Sequence, residues 1–140
     1  MAEPDFVTEY PLSLVSFDGR SSDGLLRLDA ERDTLVLEYA GGRIEVVDSD
    51  YFEALCRIRE RLEADGLRPI CYGASRNVYP SGMSRDMGGG LRAYKLQLGQ
   101  LGRTADLVDI FSTGPDVVPV PVAEQREFYL RWLESIHART

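Results

Sequence analysis

The sequence predicts an α+β fold, an antiparallel or mixed sheet of about six to seven strands with two helices packed on it. Between residues 12 and 47, four short runs alternate apolar and polar residues. Two later stretches carry apolar residues at helical spacing, and a further pair of alternating runs lies between them. The order strands, helix, strands, helix places helices on a sheet that is antiparallel in its first half. With 140 residues, 44% of them hydrophobic and 28% charged, the chain reads as a single domain over 1–140. A domain of this length buries about two thirds of its unfolded surface without help from disulfides or metals.

The first strands are read in Leu12–Phe17, Leu25–Leu28, Leu35–Tyr39 and Arg43–Val47. Short polar turns separate them, and Gly41-Gly42 supplies the positive φ of a tight hairpin. Asp48-Ser49-Asp50 offers side-chain oxygens to start a helix, with Glu53 completing a capping box displaced onto Asp50. Tyr51, Leu55, Ile58 and Leu62 form the apolar stripe of that helix, Phe52 and Cys56 broaden it, and Arg57, Arg59, Glu60, Arg61 and Glu63 fill the polar face. Asp65-Gly66 ends it, with glycine placed for a left-handed cap. Ile70, Cys71 and Tyr72 suggest a strand within 67–74. The stretch from Ser75 to Gly90 has no apolar periodicity and reads as a long loop, a feature more often functional than not. Leu91–Leu98 and Ala105–Phe111 make a second hairpin. Pro119 and Pro121 exclude a central strand, and 123–137 closes the chain as a helix through Tyr129, Trp132, Leu133 and Ile136.

Charge is distributed unevenly. Residues 1–67 hold 16 acids against 7 arginines, whereas 68–103 hold 6 basic residues and one acid. The net charge of −7 disfavours nucleic acid and anionic membranes, since phosphate binding requires cations that outweigh nearby carboxylates. No basic segment followed by an apolar run opens the chain, and no long apolar stretch occurs, so the cytoplasm is the expected location. In that reducing compartment Cys56 and Cys71 are expected to be buried free thiols.

Catalytic patterns are missing from the residues. The one histidine, His137, sits at the end of the last helix, away from any scaffold that a triad or a zinc site would need. The acids Asp86, Asp106 and Asp109 share no telling spacing, and no calcium-loop pattern occurs. The expectation is accordingly no catalytic residue, no metal and no cofactor. The glycines 88–90 could cradle a phosphate beside Arg76, Ser81, Ser84 and Arg85, which defines an alternative function as a small-ligand or phosphate-binding domain, including an enzyme, using loop 75–92. No nucleotide-binding glycine motif accompanies them, so the glycines read first as an entry into a strand or a bulge. Tyr72, Tyr79 and Tyr94 interleave with Arg76, Arg85 and Arg92, and Met83 and Met87 lie among them. That composition is enriched at protein interfaces.

The run from Gly73 to Lys95, Gly-Ala-Ser-Arg-Asn-Val-Tyr-Pro-Ser-Gly-Met-Ser-Arg-Asp-Met-Gly-Gly-Gly-Leu-Arg-Ala-Tyr-Lys, with Leu107–Phe111 after it, resembles a group of small acidic bacterial proteins of unassigned activity. Some of these look like immunity proteins of polymorphic toxin systems. The resemblance covers the middle third of the chain, brings no catalytic residues with it, and implies a stoichiometric inhibitor of a toxin domain. On that basis the partner-binding residues are expected to be Arg76, Tyr79, Met83, Arg85, Asp86, Met87 and Arg92. Glu31, Asp33, Glu38 and Glu45 would form an acidic face that steers a basic partner. A homodimer joining the basic loop to that acidic face is a third arrangement.

Overall fold

The computed structural model describes residues 7–137. Among them the fold is α+β, with eight strands in two antiparallel sheets and three helices. The first sheet begins with a meander of β1 (Val7–Ser16), β2 (Ser21–Asp29), β3 (Thr34–Tyr39) and β4 (Gly42–Val47). Helix α1 (Tyr51–Ala64) then crosses back, and β5 (Leu67–Pro69) adds to the far side of β1, giving the order β4-β3-β2-β1-β5. The second sheet comprises β6 (Val78–Tyr79), β7 (Arg92–Lys95) and β8 (Leu107–Asp109), with β7 central. Helix α2 (Gly82–Gly88) lies between β6 and β7, and α3 (Val122–His137) closes the described chain.

Three expectations change. There are more strands and helices than the six to seven and two expected, because the presumed loop 75–90 contains β6 and α2. The strand expected around Ile70–Tyr72 is instead β5 at Leu67–Pro69, and Tyr72–Ala74 forms a 3₁₀ turn. The turn between β3 and β4 is Ala40-Gly41, and it is Gly42 that takes the positive φ, at 139°.

Pairing in the meander explains the alternation. Tyr10, Leu26, Leu37 and Ile44 align in one cross-strand row, while Leu28, Leu35 and Val46 align in the next. These side chains form the inner face, onto which α1 lays Phe52, Leu55, Ile58 and Leu62. The opposite face carries Glu9, Arg27, Glu38, Arg43 and Glu45, and its charges compensate one another. Arg27 reaches Glu9 and Glu38, each at 2.9 Å, and Arg43 reaches Glu45 at 3.0 Å. One hydrophobic cluster continues from this sheet through Cys71 and Ala74 to Val78 and Ala93 of the second sheet and to Ile110 and Phe111 just after β8.

The start of α1 follows the sequence reading with one exchange of roles. The Asp50 carboxylate accepts from Glu53 N–H at 3.0 Å, as an N-cap does. The returning half of the box comes from Asp48, whose carboxylate accepts from Asp50 N–H at 2.9 Å. At the other end Gly66 takes a φ of 73°, and its N–H donates to Glu63 O.

Arg59 departs most from its expected place. It lies on the Phe52–Cys56 row of α1 and is only 2% exposed. It makes no ion pair with a carboxylate among the described residues. Nη1 donates to Gly73 O at 3.2 Å and to Gln125 Oε1 at 2.6 Å, and Nη2 donates to Val120 O at 2.8 Å. Nε has no hydrogen-bond partner among the described residues. Gln125, itself 1% exposed, donates through Nε2 to the carbonyls of Gly73, Ser75 and Val78 at 2.9 to 3.0 Å. Burial holds the Arg59 guanidinium below its ordinary pKa. The same burial pushes the thiols of Cys56 and Cys71 up to about 11, with Arg59 opposing the shift, and both cysteines are free.

Candidate binding surface

The segment read as a glycine-rich loop is a short helix fastened to the start of α1. Ser81 caps α2, its hydroxyl accepting from Ser84 N–H at 3.0 Å. Arg85 then reaches across to α1, donating to Asp50 at 2.7 Å and Glu53 at 3.4 Å, with its guanidinium 5.4 Å from the centre of the Phe52 ring. Asp50 therefore caps one helix and anchors another. The glycines are a helix stop packed tightly against the same place. Gly89 and Gly90 adopt φ of 67° and 73°, and both amides donate to Ser84 O. Gly89 O in turn accepts from Tyr51 N–H at 2.7 Å. A β-carbon on Gly90 would lie 2.9 Å from the Asp50 carboxylate, so no larger residue fits there without displacing the cap.

This geometry changes what the loop can do. A phosphate nest needs open amides and available cations. Here the amides of Gly89 and Gly90 are occupied by the helix end, and Arg85 is committed to two carboxylates. The basic stretch as a whole is largely neutralised. Arg68 pairs with Glu63, Arg85 with Asp50, Lys95 with Asp116 and Arg103 with Asp106. Arg76 and Arg92 are the cations of this stretch without an ion pair among the described residues, and the Arg76 guanidinium sits 5.3 Å from the Phe128 ring centre.

The expected contact residues divide accordingly. Met83, Asp86, Met87 and Arg92 are exposed, the two methionines at 72% and 83%. Four residues apart on α2, the methionines lie on one side of that helix. Tyr79 is buried, stacked on Tyr129 at 4.0 Å and meeting Phe52 edge-on at 5.0 Å, so it supports the surface from beneath. Arg85 is likewise a clamp. On the meander, Glu38 and Glu45 are paired with arginines. Glu31 is exposed in the turn after β2, and Asp33 accepts from the Tyr51 hydroxyl at 3.2 Å. These four do not assemble into an uncompensated acidic face.

Next to the start of α2 lies a feature that sequence reasoning missed. An open groove of about 360 Å³ runs between α2, the second sheet and α3, lined by Tyr79, Ser81, Tyr94, Leu101, Tyr129 and Trp132. Trp132 stacks beyond Tyr129 at 6.1 Å and donates from its indole nitrogen to Gln100 O at 2.7 Å. Leu101 projects at the groove edge, 71% exposed. The aromatic spacing along α3 was visible in the sequence. Its junction with Tyr79 and Tyr94 depends on how α3 crosses the second sheet, which no local pattern encodes.

Among the described residues no cluster of His, Cys, Asp and Glu could hold a metal ion, and no helix is long and apolar enough to cross a membrane. No protein-family model matches the chain, and no curated protein matches it in sequence.

Proposed function

We propose that this protein is a non-catalytic binding protein of the bacterial cytoplasm, an immunity protein that silences a cognate toxin domain by occupying its surface. The supporting observation is the exposed Met83/Met87 pair on a helix locked in place by Arg85 and Asp50, beside an open groove of tyrosines and tryptophan. Methionine, tyrosine, tryptophan and arginine dominate the centres of protein interfaces, where adaptable apolar side chains fill a partner's pockets. Holding α2 rigidly before binding reduces the ordering cost of association. Met83 and Met87 supply the apolar contact, Asp86 and Arg92 its polar rim, and the groove receives a side chain from the toxin.

The test uses the carboxy-terminal domain encoded by the gene directly upstream, co-expressed with this protein and scored for growth and for complex affinity. Met83→Asp with Met87→Asp is expected to weaken binding at least about 100-fold, the loss of two central contacts, and to abolish protection. Its melting temperature should be unchanged, because neither side chain is buried. Protection retained in that double variant overturns the proposal.

A further inference from the structure

We propose that β4 is the site of self-association, two copies of the chain pairing their β4 strands antiparallel about a two-fold axis to make one continuous ten-stranded sheet. Sheet edges offer unpaired N–H and C=O groups, and proteins that remain monomeric blunt them with proline, bulges, very short strands or charges. The charges of β4, Arg43 and Glu45, are of opposite sign and pair with each other at 3.0 Å, so they do not repel a second copy. The other edges of this fold are blunted. β5 has three residues and ends in Pro69, β6 has two residues, and β8 has three. β4 runs six residues, Gly-Arg-Ile-Glu-Val-Val, with no proline and continuous pairing to β3 on one side only.

The ladder fixes which groups are open. Asp48 N–H donates to Asp33 O at 2.8 Å, extending the β3–β4 register by one pair. Hydrogen-bonded pairs alternate along an antiparallel ladder, so residues 42, 44 and 46 bond to β3. Arg43, Glu45 and Val47 then direct their N–H and C=O groups outward. A two-fold pairing of two such edges has few registers, and charge selects among them. Centring on Arg43 sets Arg43 against Arg43, and centring on Glu45 sets Glu45 against Glu45. Centring on Ile44 sets each Arg43 opposite the other copy's Glu45, twice, on the charged face of the sheet. The two Ile44 side chains, each 2% exposed in the isolated chain, stay within the cores of their own copies, so the pairing rests on the backbone ladder and the two charge pairs. Opposite charges directly across strands stabilise and like charges destabilise, so the strand is self-complementary in one register. The interface is isologous, as a two-fold requires, and it uses none of the residues of the proposed toxin contact.

Sedimentation equilibrium of the wild-type protein over a concentration series up to about 0.5 mM is expected to show a species of twice 15.7 kDa. Arg43→Glu and Glu45→Arg, each alone, should weaken the dimer about tenfold or more by opposing like charges at two symmetric positions. The double exchange R43E/E45R restores both pairs and should restore the dimer. Hydrogen exchange on the wild type gives an independent reading, with the Arg43 and Glu45 amides gaining protection as concentration rises. A monomer throughout the series, or a dimer indifferent to the single exchanges, overturns the proposal. So does protection that arises only on adding the toxin domain, which would assign the edge to that partner.

Discussion

Replacing Gln125 by leucine removes a side chain that accepts from the buried Arg59 and at the same time donates to three backbone carbonyls. The two hydrogens on Nε2 are shared among Gly73 O, Ser75 O and Val78 O, so two neutral hydrogen bonds are lost at about 1 kcal/mol each. The bond from Arg59 at 2.6 Å is charge-assisted and adds about 2 kcal/mol. The expected cost is about 4 kcal/mol, a large share of the roughly 5–15 kcal/mol that holds an ordinary domain folded. Urea unfolding followed by tryptophan fluorescence measures it, and at this chain length the melting temperature should fall by about 14 °C. Arg59→Met combined with Gln125→Leu is the decisive variant. Removing both partners takes away the charge that Gln125 compensates, so the double variant should cost about 2 kcal/mol less than the sum of the two singles. A Gln125→Leu cost below about 1 kcal/mol, or additivity in the double variant, refutes the reasoning that Gln125 satisfies a buried cation.

Three further outcomes are expected. Gly90→Ala should destabilise the protein by about 2 kcal/mol or more, because its φ of 73° is unfavourable for a side chain and the new β-carbon meets the Asp50 carboxylate at 2.9 Å. Gly88→Ala, with open space around it and an ordinary φ, should instead be neutral or stabilising by up to about 1 kcal/mol, and thermal melts of the two variants compare them directly. Arg85→Ala should loosen α2 from α1, so that hydrogen exchange in 82–90 accelerates while the β1–β4 meander stays protected. Asp116, held by Lys95 at 2.7 Å and by the Tyr72 hydroxyl at 2.7 Å, has its pKa lowered from 3.8 to about 2. A depressed carboxylate stabilises the fold above its unfolded pKa and loses that contribution as pH falls through the folded value. This linkage should therefore be complete above pH 3.8 and released near pH 2, as followed by the carboxyl carbon shift of Asp116 in an NMR titration.

The parts of the fold that obey a local period were legible in the sequence. The meander alternates because one face of it is buried, and α1 shows its stripe, its Asp50 cap and its Gly66 stop, since each of these acts within a few residues. Helix α2 was invisible for the opposite reason. It buries no residue, so Met83 and Met87 leave no apolar stripe, and it persists through the Ser81 cap and an ion pair from Arg85 to a residue 35 positions away. Charge counting likewise leaves out pairing between distant segments. Four of the six cations of the basic stretch pair with Glu63, Asp50, Asp116 and Asp106, partners that lie outside the stretch, which leaves Arg76 and Arg92 without an ion pair among the described residues. Arg59 did leave a signal, since Phe52, Cys56 and Arg59 follow one helical row. Its partner Gln125 is far along the chain and carries no mark of its role.

Cys56 and Cys71 both lie beside Arg59 with their thiols pushed up to about 11, but Cys71 is fully enclosed whereas Cys56 keeps an edge on a surface pocket, so an alkylating or disulfide reagent reaches Cys71 only when the protein opens. Cys71 is therefore a built-in clock, with Cys56 as its internal reference. The rate at which a thiol reagent modifies Cys71 in the untouched protein reports how often its interior opens, and any difference between the two sites separates partial opening around α1 from complete unfolding.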